Sequence, residues 1–220
     1  MAAVGSDDEV LAWVAARQAG LLAMTLGEGA VAACAPRVVS GPRPIAGWTA
    51  DPEWRAQRAA VLLADWASYP APVDQVSLAR LTRVLDAFPQ GFRTWWLDHP
   101  ELGPVPVGYS GWYPIAPELF ERLRLSPESI TDRGEVLPLG EASDERALYL
   151  FNYSVIPQLR GGPVAGELLR ALANDVAMAP HAGLCAITVS EDGARVARRF
   201  GMTRKGACVV DGVEEQVYCT

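Results

Sequence analysis

Histidine is scarce in this 220-residue sequence, which holds only His99 and His181. A metal site built on several imidazoles is therefore excluded. The four cysteines, Cys34, Cys185, Cys208 and Cys219, are too scattered to supply a C-x-x-C pair in its place. No metal is expected, and widely spread thiols fit a reduced, cytoplasmic environment better than a disulfide framework. Unbroken apolar runs are missing too: the stretch from Gly20 to Ala35 is interrupted by Glu28 and three glycines. Ser6-Asp7-Asp8-Glu9 is acidic where a secretory signal would be basic, so neither a targeting segment nor a membrane partner is expected. Positive charge is also in deficit. Nineteen basic against 26 acidic residues leave a net charge of -7, which argues against nucleic acid as a partner.

What is present is a chain that is 50% hydrophobic and 20% charged, enough to bury the core of an ordinary domain. Its charge is unevenly spread. Residues 160 to 205 carry seven basic side chains (Arg160, Arg170, Arg195, Arg198, Arg199, Arg204, Lys205) against four acidic ones, a local excess of three positive charges on an acidic body. Such a segment suits a polyanionic ligand, and the acidic remainder suits a cationic amine.

Periodicity divides the chain into alternating elements. A helix is expected over 7–19 and a short β-prone run at Val38-Val39. Two amphipathic helices follow, with Ala59, Leu62, Leu63 and Trp66 on one stripe and Leu78, Leu81, Leu85 and Phe88 on the other. Residues 92–98 and 105–113 read as a β-hairpin rich in aromatics. Its members Trp95, Trp96, Tyr109, Trp112 and Tyr113 divide between sheet core and a candidate acceptor pocket. A short helix is expected at 117–124, and 125–146, rich in Pro, Gly and charge, reads as a loop. Leu148 to Val155 is a dense β run, followed by a helix over 163–178 with Val164, Leu168, Leu172 and Val176 on one stripe. A buried strand at 184–189, a basic helix at 192–200 and two closing strands around Asp211-Gly212 complete the order.

The join between the β run and the helix after it carries the most chemistry. Tyr149-Leu150-Phe151-Asn152-Tyr153-Ser154-Val155-Ile156-Pro157-Gln158-Leu159-Arg160-Gly161-Gly162-Pro163-Val164-Ala165 leads from a strand through a Gly-rich loop into a helix. Unpaired backbone amides and the positive end of the helix dipole then point at any anion in the loop. Pro163 suits the first helical position, where no N–H partner is needed. The loop is not a Walker A sequence, since no Gly-Lys-Ser/Thr follows, and it is not G-x-G-x-x-G.

This run resembles motif A of the GNAT (Gcn5-related N-acetyltransferase) superfamily, a Val-x-Pro strand end leading to Arg/Gln-x-x-Gly-x-Gly/Ala. Val155, Pro157, Arg160 and Ala165 match it, and Pro163 stands where the first Gly usually is. A second stretch, from Ser190 to Met202, is similar to the family's Asn-x-x-Ala-x-x-Leu-Tyr-x-x-x-Gly-Phe, with Ala197 where Tyr is usual. The resemblance implies an α/β GNAT fold: a mixed central sheet of about seven strands flanked by helices, with an extra N-terminal helix. It implies a single domain over 1–220, made of a helical extension (1–29), an acceptor-side half (30–147) and a coenzyme A-binding half (148–220). Acetyl-CoA is the implied cofactor, contacted by Val155, Arg160, Gly161, Gly162, Val164, Ala165, Ser190 and Arg195. The implied reaction is acetyl transfer to a small-molecule or peptide amine by direct attack. A GNAT-fold module that binds acyl-CoA without turnover is the alternative, and a longer acyl chain housed beside 125–146 is a third reading. The protein is expected to be a monomer or homodimer.

Acyl transfer needs a free amine, a donor that polarises the thioester carbonyl and a proton for the departing thiolate. A backbone amide near Val155 on a splayed strand is the candidate donor. Because Ala197 replaces the usual Tyr, the acid is sought on the strand itself. Tyr149, Phe151 and Tyr153 share one side, and Asn152 and Ser154 share the other. Tyr153 is the candidate acid, with Asn152 and Ser154 orienting an acceptor or a water. Glu141, Asp144, Glu145 and His99 are candidate bases, and Cys219 is a candidate nucleophile.

Overall fold

The β run at the centre of the sequence, Ala147–Val155, becomes a central strand of a seven-stranded sheet. The protein is described by a computed structural model at residues 6–23, 37–40, 54–69, 71–99, 103–210 and 212–220. In chain order the elements are α1 (Asp7–Ala23), β1 (Arg37–Ser40), α2 (Trp54–Ser68), α3 (Leu78–Ala87), β2 (Phe92–His99) and β3 (Gly103–Ile115). After them come α4 (Pro117–Leu125), β4 (Ala147–Val155), α5 (Pro163–Met178), β5 (Gly183–Thr188), α6 (Glu191–Arg199), β6 (Thr203–Val210) and β7 (Val213–Cys219). The strand order is β1-β2-β3-β4-β5-β7-β6. The sheet is mixed, since β4 and β5 are parallel while β5–β7, β6–β7 and β1–β2 are antiparallel. The expected fold class is thus observed, strand count included. Among the described residues no helix is long and apolar enough to cross a membrane, and no group of His, Cys, Asp and Glu could hold a metal ion. Cys34 and Asp211 lie outside the described residues, as does the side chain of His99.

The chain divides into two compact units, 1–110 with 154–170 and 111–153 with 171–220. In the first, α2 packs against α1, α3 and β2. Its sequence reads as amphipathic, yet the helix is buried nearly all round: Ala60, Val61 and Ala64 are covered as fully as Ala59, Leu62 and Leu63. That leaves Asp65 with no exposed surface, so its carboxylate must be satisfied internally. It accepts from the Tyr109 hydroxyl and from the Val76 amide, both at 2.7 Å, which fastens the α2–α3 connection to β3. The five hairpin aromatics from Trp95 to Tyr113 are all buried, none more than 8% exposed.

In the second unit the Pro- and Gly-rich stretch after α4 is more ordered than its composition suggests. It forms 3-10 turns at Pro127–Ser129 and Arg133–Glu135, and it buries Ile130 and Val136 completely. The Tyr113 hydroxyl donates to the Val136 carbonyl at 2.7 Å, and the Leu139 amide donates to the Pro114 carbonyl at 2.8 Å. Asp132 and Glu135 form a reciprocal capping box around the second turn.

Glu135 accepts from the Thr131 amide (3.0 Å), the Asp132 amide (3.1 Å) and the Arg122 guanidinium (2.9 Å). Bonds to the charged form, first from the Thr131 amide and then from Arg122, hold its carboxyl at about 2. A depressed acid contributes stability above its unfolded value, about 4.3, and loses that contribution as pH falls towards the folded value. Stability of the parent should therefore fall more steeply between about pH 4.3 and pH 2 than that of Glu135→Gln. Denaturant melts across that range that run parallel for the two proteins would show that the carboxyl is not held down.

Candidate functional site

The join between β4 and α5 is built within the first unit. Ile156 donates to the Val107 carbonyl at 3.0 Å, so the strand end stays fastened to β3. Pro157–Leu159 then makes a 3-10 turn, and Gly161 takes φ +72°, a conformation that glycine reaches without strain. Helix α5 starts at Pro163, as its fixed φ favours, and its first 5→1 bond is Gly166 to Gly162 at 3.2 Å. The stripe Val164, Leu168, Leu172 and Val176 is buried and anchors the helix.

The amides of this loop fall into two groups. Arg160 donates to Pro157 and Gly162 to Leu159, both at 3.3 Å, so these two shape the turn. The amides of Gly161 and Val164 donate to no acceptor among the described residues. Two main-chain donors without acceptors among the described residues thus stand at the positive end of a 16-residue helix, a setting that favours an anion. The Arg160 guanidinium is engaged elsewhere, donating to the carbonyls of Val155 and Ser68. Ser154 is 4% exposed, and its hydroxyl has no hydrogen-bond partner among the described residues. Gly108 sits against it: a Cβ there would come within 2.7 Å of the Ser154 carbonyl oxygen. Neither the Arg160 bonds nor this approach was foreseen. A glycine within a β pattern was the available signal for the second.

The second unit contains the parting of two strands. Parallel β4 and β5 are in register at Ala147↔Gly183, Leu148↔Leu184 and Tyr149↔Cys185, where the registered pairs stop. Both strands run on, β4 to Val155 and β5 to Thr188. The expected alternation on β4 holds, since Tyr113 stacks on Tyr149 and Phe151 from one side, with centroids 5.3 and 5.8 Å away. Tyr153 shares that side and is half-buried, as is Asn152 on the other. Burial pushes the Tyr153 phenol above its ordinary value, opposed in part by the charge of Arg199, so it holds its proton at neutral pH.

Helix α6 follows β5 through Ser190, whose hydroxyl accepts from the Gly193 amide at 3.2 Å and caps the helix. Arg195 pairs with Asp192, Arg198 bonds the Tyr218 hydroxyl at 3.3 Å, and Ala197 is buried at 2% exposure. Within this unit the charge of Arg199 is felt at Tyr153, while Ser190 and Arg195 are occupied by their own helix. Glu141, Asp144 and Glu145 are exposed. Burial pushes the Cys219 thiol up to about 11, so it is no nucleophile at neutral pH.

No protein-family model and no curated sequence matches the chain. Solved structures do. The loading GNATL domain of CurA from Lyngbya majuscula is similar with a TM-score of 0.58 at 12% identity, covering 84% of this chain and 96% of that one. GphF, a GNAT-like decarboxylase in complex with isobutyryl-CoA, gives 0.54 at 17% identity over 83% and 97%. The NatC complex bound to Gag peptide and CoA gives 0.52 at 13% identity over 83% and 97%. The architecture is that of a mixed α/β sheet with a splayed parallel pair. The protein has the GNAT fold.

Proposed function

We propose that the protein is an acyl-CoA-dependent N-acyltransferase that transfers acetyl from acetyl-CoA to a small-molecule or peptide amine. The observation that carries this reading is the turn at 157–162. It leaves the Gly161 and Val164 amides without acceptors among the described residues at the start of α5, the arrangement that receives a pyrophosphate. Gly162 shapes the same turn, Ala165 follows it in the first turn of α5, and the Val155 backbone at the strand end is proposed to pair with the pantetheine arm and polarise the acyl carbonyl. The parting of β4 from β5 leaves an edge along which an extended, amide-bearing chain can lie. Ser190 and Arg195 enter as cofactor contacts on the resemblance of their stretch alone.

Acetyl-CoA supplies the activated acyl group, and the chain's residues manage the protons. As the acceptor nitrogen bonds to the carbonyl carbon and the C–S bond breaks, Tyr153, held protonated by burial, gives its proton to the departing sulfur. Asn152 and the unpartnered Ser154 hydroxyl orient the amine or the water that takes its proton. Coenzyme A at 100 times its dissociation constant should stabilise the fold by about 2.7 kcal/mol. That is a Tm rise of roughly 5–10 °C for a chain of this size. No shift, together with no saturable binding by calorimetry, would sink the proposal.

Ala197, buried where the superfamily usually has Tyr, favours a second reading: a module that binds acyl-CoA without turnover. Thiol release across an amine panel separates the two. Acetyl-, succinyl- and long-chain acyl-CoA belong in that panel to fix acyl length. A carboxylated acyl-CoA belongs there as well, because GphF is a decarboxylase; CO2 release without amine acylation would replace the transferase reading.

A further inference from the structure

Helix α2 ends at Ser68, and the last carbonyls of a helix have no donor within it. Here those of Asp65, Trp66 and Ser68 are met individually, as is that of Tyr69 just beyond. The Asp65 carbonyl accepts from the Tyr69 amide at 3.0 Å, the Trp66 carbonyl from Gln18 Nε2 at 3.0 Å and the Tyr69 carbonyl from Gln75 Nε2 at 2.8 Å. Ser68 is 1% exposed, and its carbonyl accepts from the Arg160 guanidinium, 92 residues further along the chain. The same guanidinium donates through Nε to the Val155 carbonyl at 3.2 Å. One planar fork therefore joins the end of β4, the loop after it and the C-terminus of α2. The negative end of the helix dipole favours a cation there, and a buried carbonyl stripped of its donor is costly.

We propose that Arg160 is a positioning residue that couples the anion-binding loop to the C-terminal end of α2, and that it does not itself bind phosphate. With its fork held by two carbonyls, it fixes where the turn at 157–162 sits and so where the Gly161 and Val164 amides point. The coupling is reciprocal: a ligand that orders the loop also stabilises the end of α2 and the connection to α3 that begins there, and loosening that end weakens the ligand. The part concerning coenzyme A rests on the function proposed above. The part concerning the helix end does not.

Hydrogen exchange on the unliganded protein tests the second part. Arg160→Ala should raise amide exchange at least tenfold both within 158–162 and within 66–69, with β6 and β7 unchanged as a check on folding. Arg160→Lys should behave like Arg160→Ala, because an ammonium is a point charge and cannot replace a planar fork on two carbonyls. Unchanged exchange at 66–69, or full protection in Arg160→Lys, would overturn the coupling. Calorimetric titration with coenzyme A tests the first part: both variants should bind about tenfold more weakly than the parent. If Arg160→Lys binds like the parent while Arg160→Ala does not, the side chain is a phosphate ligand and the proposal is wrong. A parent that binds no coenzyme A would defeat the function proposed above, and the exchange experiment would still decide the role of Arg160.

Discussion

Gly108→Ala should lose at least tenfold in acyl transfer while remaining folded. The added Cβ would lie 2.7 Å from the Ser154 carbonyl oxygen and 3.4 Å from the Val155 Cα, and main-chain atoms cannot rotate away as a side-chain tip can. Relief requires β3 and β4 to shift apart next to the bond between Ile156 and Val107, and overpacking of this kind costs about 1–3 kcal/mol. The Tm should fall by about 5 °C. Activity should suffer more than stability, because Val155 is proposed to polarise the acyl carbonyl and Ser154 to orient the acceptor, and small misplacements there are costly in rate. Gly20→Ala is the matched control. Gly20 lies in α1 with nothing within 4 Å of its Cβ position, so the same change should stabilise by about 0.5–1 kcal/mol and leave turnover intact. A Gly108→Ala protein with parental stability and turnover would mean that the two strands are not packed this closely.

The contrast between those two glycines shows what can be read from sequence and what cannot. Gly108 sits in a β pattern that was legible because a period of 2 is local, whereas Gly20 lies just past the helix expected over 7–19, which runs on to Ala23. The same locality made the β4–loop–α5 join readable, down to Pro163 as the first helical residue and the alternation that puts Tyr149, Phe151 and Tyr153 on one side. What stood opposite each residue was not readable. The Ser154 carbonyl facing Gly108 and the Ser68 carbonyl facing Arg160 depend on pairings across 46 and 92 positions, which no local period encodes. Resemblance alone placed Arg160 on the cofactor, whereas its donors are turned towards two carbonyls of its own chain. The stretch after α4 misled for a related reason. Its Pro, Gly and charged residues are those of a solvated loop, and its order comes from partners far along the chain, Gly206 against Pro127 and Glu215 against Arg133.

That last pair carries the largest expected effect on stability. The Glu215 side chain has no exposed surface, and Arg133 meets both of its oxygens, with Nε to Oε2 at 3.0 Å and a terminal nitrogen on Oε1. A two-point pair of this kind holds a carboxylate that could not otherwise remain charged inside the fold. Arg133→Ala would leave it buried and unpaired, at a cost of about 3–5 kcal/mol, or roughly 10 °C in Tm. The penalty should depend on pH in a stated direction. Without its partner the folded-state Glu215 carboxyl rises above its unfolded value, so the protonated form is the one the variant tolerates. The variant should therefore be weakest at neutral pH and approach the parent as the pH is lowered through the raised value. Replacing both partners together, as in Arg133→Met with Glu215→Leu, removes the buried charge along with its counter-ion and should recover most of the lost stability. Denaturant midpoints for the single and double variants at pH 7 and pH 5 decide the matter. A single variant within about 0.5 kcal/mol of the parent, the size of an ordinary surface change, would show that Glu215 is not held in the core as a charged group.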